Sequence, residues 1–123
     1  MGTTCTVIMY DSTLEYYLHN TINFGGYIVG VGIHLYMRFN NEDDIRNMLE
    51  GPPIRSISDT VVEKYEDEEP NHRYLKNMED IWDYGYVYVF ENKQWLVKWY
   101  DTSGQYVPLS DYIRDEDIIN YIK

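Results

Sequence analysis

The 123-residue sequence predicts an α+β fold, with a mainly antiparallel sheet built of two β-hairpins and two to four short helices. Three observations carry that expectation. Two strand pairs, one near each end, are rich in β-branched and aromatic residues and are separated by short polar turns. Between them the apolar residues fall at helical spacing. Third, 44% apolar and 16% aromatic residues supply enough buriable surface for one core, at a length that suits a single domain over residues 1–123.

The first strand is expected over residues 5–10, an apolar and β-branched run from Cys5 to Tyr10. Asp11, Ser12 and Thr13 are turn formers, and residues 14–20 alternate well enough to pair back as a hairpin. Residues 23–32 hold four glycines among aromatics and aliphatics, which reads as an ordered loop. Residues 33–39 begin a helix. Asn41, followed by Glu42, Asp43 and Asp44, starts a second that runs to Leu49 with Ile45, Met48 and Leu49 on one face; Gly51, Pro52 and Pro53 stop it.

Residues 54–58 read as a short strand, and the acidic run of residues 63–70 as a loop or frayed helix end. Residues 72–82 place Leu75, Met78 and Ile81 or Trp82 at helical spacing, so a helix is expected there. The clearest signal is the hairpin of residues 84–90 and 94–100 around Glu91, Asn92 and Lys93. A turn at residues 101–104, a short strand over 105–109 and a terminal helix carrying Ile118, Ile119 and Ile122, capped by Ser110 or Asp115, complete the chain.

With these elements placed, the N-terminal pattern resembles a family of small, mostly uncharacterised phage and prophage proteins. The residues that carry the likeness are Met1, Gly2 and Thr3 at the opening, then Gly25, Gly26 and Tyr27, and Gly30, Val31 and Gly32 leading into a helix. The late hairpin and short terminal segment look like theirs, and the likeness covers about half the chain. The chain departs from those relatives at Thr4, where they place an arginine, and at Ile28 and Val29, where they place polar residues. The resemblance implies a mobile-element accessory protein, a class in which many members block host defence, those of the anti-CRISPR kind included.

Charge points to the partner. Twenty-one acidic side chains against ten basic ones leave a formal net charge of −11. Such a chain repels nucleic acid and anionic membranes and attracts cationic surfaces. The acids cluster at Glu42, Asp43 and Asp44; at Glu63 with Glu66, Asp67, Glu68 and Glu69; at Glu79, Asp80 and Asp83; and at Asp115, Glu116 and Asp117. One reading is solvation, with several acids serving helix N-termini. The functional reading is a surface that imitates nucleic-acid phosphates in a basic groove. The 63–69 cluster fits it best, because close like charges repel and gain nothing in the free protein. Fourteen tyrosines, with Tyr65, Tyr74 and Tyr112 beside the acids, offer hot-spot contact area.

Other chemistries find thinner support. One cysteine, Cys5, excludes an internal disulfide, and its apolar strand makes it an inert thiol. No metal or cofactor is expected: His19, His34 and His72 are scattered, EF-hand spacing is absent, and the 66–69 run has no glycine at its turn. The glycine loop lacks a P-loop lysine and is not expected within a parallel unit. Phe24, Gly25, Gly26, Tyr27, Gly30 and Gly32 nevertheless form an alternative site, in which aromatic faces would stack on a small signalling nucleotide. The plainer reading is a loop packed over the sheet. Met1, Gly2 and Thr6 fit a myristoylation template, which an acidic surface disfavours.

The expectation is thus a non-enzymatic inhibitor in the host cytoplasm. Its partner is a basic host protein that handles nucleic acid, with no direct nucleic-acid binding and no membrane. The alternatives are the nucleotide-sequestering module and a structural homodimer through an exposed strand of the late hairpin.

Overall fold

The computed structural model describes residues 3–58, 61–81 and 85–123. The strands are β1 (Cys5–Asp11), β2 (Tyr16–Ile22), β3 (Ile54–Ile57), β4 (Val62–Lys64), β5 (Arg73–Leu75), β6 (Tyr86–Glu91), β7 (Gln94–Lys98) and β8 (Val107–Pro108); the helices are α1 (Ile33–Arg38), α2 (Glu42–Leu49) and α3 (Asp115–Ile122). All eight strands form one sheet in the order β4-β3-β2-β1-β6-β7-β8, with β5 added to β2. The class is α+β, as the sequence predicts.

Both expected hairpins form, β1 with β2 and β6 with β7. The sheet is not wholly antiparallel, because β1 and β6 join the hairpins side by side in parallel, Cys5 opposite Tyr86 and Met9 opposite Phe90. The reason lies in composition. Residues 5–9, like Val87 to Phe90, are nearly continuous apolar runs buried on both faces, which belong at the centre of a sheet.

Alternation sorts the two faces. Cys5, Val7 and Met9 of β1, Leu18 and Ile22 of β2, Tyr88 and Phe90 of β6, and Trp95 and Val97 of β7 point to the main core, where Leu35 of α1 and Ile45, Met48 and Leu49 of α2 close over them. Burying each of these larger side chains contributes about 1.5–3 kcal/mol. The opposite face carries a smaller cluster of Ile8, Val87 and Val89, against which Met78, Ile81, Tyr17 and Tyr106 pack.

The expected helix over 72–82 is corrected. Arg73–Leu75 is a strand, pairing Tyr17 with Leu75 and His19 with Arg73, and Met78–Asp80 is a single 3₁₀ turn. The free edge of β2 needs backbone partners, and that demand outweighs a three-residue apolar spacing. Trp82, Asp83 and Tyr84, like Gly2 of the acylation template, lie outside the described residues.

Smaller differences follow local chemistry. Strand β2 starts at Tyr16, because the Asp11 carboxylate accepts the N–H groups of Thr13 and Leu14 at 3.0 Å each and extends the turn through Glu15 at φ 59°. Residues 28–32 of the glycine segment are a π-helical turn running directly into α1. That segment does lie in a parallel unit, contrary to expectation: it leads from β2 into the helices, and β3 returns parallel to β2 at Ile22 and Ile54. The late strand shrinks to Val107–Pro108. Neither Ser110 nor Asp115 caps α3; Arg114 precedes it, and the Asp117 carboxylate accepts the Arg114 N–H at 3.0 Å.

The β6–β7 turn sets up a test. Asn92 and Lys93 both have positive φ, 54° and 64°, as a two-residue type I′ turn requires, and a lysine there is strained where glycine is not. Lys93→Gly is expected to stabilise the fold by about 0.5–1 kcal/mol, a rise of roughly 3–5 °C in thermal midpoint. Calorimetry showing no gain, or a loss, would refute the turn assignment.

Candidate protein-binding surface

Two of the acidic patches lie at opposite ends of α2, whose eight residues span about 12 Å. Their chemistry differs.

At the start of α2 the expected cap is present: the Asn41 side chain accepts the Asp44 N–H at 2.9 Å, and its own amide donates to Asp44 Oδ2 at 2.9 Å. Glu42 accepts from the Ser12 hydroxyl at 2.8 Å and from the Ser12 N–H at 3.2 Å. Asp43 accepts from Arg46 at 2.9 Å. Arg46 also reaches inward to Asp11, which is 1% exposed, donating at 3.1 and 2.9 Å. Burial alone would raise the Asp11 carboxyl, but hydrogen bonds from Leu14, Arg46 and Thr13 outweigh it and hold it below the usual range. This patch is therefore engaged within the fold. Sequence reasoning passed over Asp11, which looks like any turn aspartate.

At the other end, the 63–69 cluster sits on the β2 side of the sheet, between β4 and β5. Glu63 is on β4 and faces outward, 3.4 Å from Arg55. Lys64 turns inward and caps the end of α2, donating to the carbonyls of Glu50 at 2.7 Å and Asn47 at 3.2 Å. Tyr65 anchors the loop: its N–H donates to Pro53 O at 3.0 Å, and its hydroxyl accepts from Asn23 at 3.2 Å. The Glu68 N–H returns to Tyr65 O at 3.0 Å, closing a turn with Glu66 and Asp67 at its tip.

The far side of this loop is pinned by a buried carboxamide. Asn20 of β2 donates to Leu49 O at 2.8 Å and Pro52 O at 3.0 Å, and accepts from Asn71 at 2.9 Å. The Asn71 N–H donates to Gly51 O at 2.8 Å, and the Gly51 N–H to His72 Nδ1 at 2.9 Å. Glu66, Asp67, Glu68 and Glu69 are all exposed, and among the described residues no hydrogen bond or salt bridge holds their side chains, although the Lys64 ammonium attracts Glu66. Tyr74 lies behind the loop on β5, half-buried, donating to Glu50 at 3.2 Å. The structure thus gathers Glu63, Tyr65 and residues 66–69, and leaves Glu42, Asp43 and Asp44 at the far end of the helix.

The nucleotide alternative falls on the lower end of the sheet. Gly26 N–H donates to Thr3 O at 2.7 Å, Gly30 N–H to Tyr27 O at 3.0 Å, Val31 N–H to Gly25 O at 2.6 Å, and Gly32 N–H to Tyr27 O at 3.4 Å. Those amides are spent within the fold, that of Gly26 on Thr3 and the others inside the segment. A Cβ on Gly26 would lie 2.7 Å from Thr3 O, and one on Gly30 would run into Gly25 O, so both glycines serve close packing. Tyr88 seals the segment from below, its buried hydroxyl donating to Gly26 O at 2.8 Å. Phe24 and Tyr27 are exposed, Phe24 under the Arg55 guanidinium at 5.7 Å.

The remaining groups of interest are placed as follows. Cys5 is fully buried, which pushes its thiol up. His34 packs edge-on to Tyr121. His19 faces the smaller cluster's side of the sheet, with both ring nitrogens buried and no hydrogen-bond partner among the described residues; burial, Arg73 and His72 lower its affinity for a proton. Tyr112 packs edge-on to Trp99. Both edges of the late hairpin are occupied, by β1 and by β8 at Leu96 and Val97, so the expected route to a homodimer is closed at those positions. No helix among the described residues is long and apolar enough to cross a membrane.

No family model, curated protein or solved structure matches the chain.

Two outcomes are expected. Asn20→Ala should cost about 3 kcal/mol by orphaning buried carbonyls, and should speed amide exchange at residues 65–72 more than in β6. Uniform exchange changes would remove Asn20 from its role as the loop's anchor. Because the folded Asp11 carboxyl binds its proton more weakly than in the unfolded chain, its contribution is full above about pH 5 and is lost as pH falls through and below 4. Denaturant titrations between pH 6 and 3 should therefore show a shallower loss of stability for Asp11→Asn, from a lower starting value; parallel slopes would contradict this.

Proposed function

We propose that this protein is a non-enzymatic accessory inhibitor of viral or phage type, which acts in the host cytoplasm by binding a basic, nucleic-acid-handling defence protein in place of nucleic acid. One observation carries the reading: four consecutive carboxylates, Glu66 to Glu69, stand exposed on a loop whose base is held at both sides, with the Lys64 ammonium attracting Glu66 but no salt bridge closing on any of the four among the described residues. Close like charges oppose folding, and a cationic partner relieves that repulsion. A held base spares the partner part of the ordering cost of binding. Glu63 and Tyr65 extend the contact at the β4 side, and the likeness of the N-terminal motifs to phage accessory proteins agrees with such an origin.

The test is affinity capture from a bacterial lysate at low salt, with the native chain beside a variant carrying Glu66→Lys, Asp67→Lys, Glu68→Lys and Glu69→Lys. The native chain should retain a basic nucleic-acid-binding protein that duplex DNA displaces, and whose binding falls about tenfold or more between 50 and 500 mM salt. The variant should fold and retain nothing of the kind. Equal capture by both chains, or capture indifferent to DNA and salt, would end the proposal.

A further inference from the structure

Two imidazoles flank the segment that returns from the acidic loop to the sheet, and both are placed to work without an added proton. His19 of β2 has both ring nitrogens buried with no hydrogen-bond partner among the described residues. A neutral ring there leaves one N–H and one lone pair unmet, whereas an imidazolium would leave two donors and a full charge unmet, at far greater cost. Its neighbours add to that cost. In the antiparallel pairing of β2 with β5, His19 stands directly opposite Arg73 on the same face of the sheet, and like charges so placed oppose pairing. Ile8 of β1 flanks the ring on its other side, and Tyr17 and Thr21 of β2 share its face. The other titratable groups of this face lie further off: Tyr10 packs on Tyr17, Glu91 acts on Tyr17, and Glu79 of the 3₁₀ turn lines a hollow beyond Ile8 with Lys98 and Tyr106. His72, beside Arg73, uses its Nδ1 to accept the Gly51 N–H at 2.9 Å, a role that only an unprotonated nitrogen can fill.

We infer that β5 is a proton-operated latch: at neutral pH it fastens the return of the acidic loop onto β2, and protonation of His19, seconded by His72, releases it. Strand β5 is three residues long and β2 is its one strand partner among the described residues, so it can open without opening the centre of the sheet. Its release frees the side of the loop that Asn71 pins. The latch does not depend on what the loop binds. Its sign follows from linkage: burial, with Arg73 and His72, makes the His19 ring bind a proton more weakly in the fold than in an open strand, where the ordinary value is about 6.5. The latch is therefore at full strength well above that value and weakens as pH falls below it. Between pH 7.5 and 5.5, where Asp11 stays ionised, opening should rise by up to about tenfold.

The experiment is amide hydrogen exchange on the full chain at pH 7.5 and 5.5, with rates corrected for the intrinsic effect of pH. In the native chain, residues 71–75 should open about tenfold more at the lower pH, while Val87 to Phe90 of β6 keep their protection. His19→Leu puts an apolar side chain of similar bulk beside Ile8, and His19→Gln keeps a polar one that cannot take a proton. Either variant should lose most of the rise. Equal protection of residues 71–75 at both pH values in the native chain overturns the inference without any variant. A rise shared equally by β6, or one undiminished in whichever variant folds, overturns it as well.

Discussion

The buried carboxamide of Asn20 is the constraint on which the β2 side of the molecule depends. A polar side chain on the core face of a strand has to be satisfied, and here satisfaction fixes three separate segments at once: the end of α2 at Leu49, the stop at Pro52, and the return of the chain at Asn71. Both donors of the amide are used, and its oxygen is occupied. The segment that carries the acidic run therefore leaves the fold at Tyr65 and re-enters it at Asn71, with its ends set by buried hydrogen bonds. The polar group costs the core some apolar contact and specifies where a charged loop stands.

The two acidic ends of α2 show that net charge is a poor guide to function until the partners of each carboxylate are known. At Glu42 and Asp43 the acids offset Arg46, support a turn through Ser12, and lie where the helix dipole favours negative charge. Their presence is explained by the fold alone. Of Glu66 to Glu69, Glu66 is attracted by Lys64, and no hydrogen bond or salt bridge engages the side chains of the other three among the described residues. A solvating role would be served as well by acids spread along the chain, at less mutual repulsion, and it is their crowding on a braced turn that the proposed cationic partner would relieve.

Much of the fold was legible because its strands obey local rules. Alternation and turn residues define both hairpins, and Asn41 marks the start of α2 through the same side-chain hydrogen bond that the structure contains. What escaped is what depends on distant segments. The parallel join of β1 and β6 leaves its trace only as apolar runs too continuous for a half-exposed strand. The misread segment after residue 72 shows the limit of periodicity: Met78 and Ile81 do share a face, but it is the cover of Ile8 and Val87, while Leu75 belongs to an edge strand completing β2. The candidate site divides the same way. The acidic loop could be read from composition, whereas the roles of Asn20 and Asp11 are products of tertiary proximity.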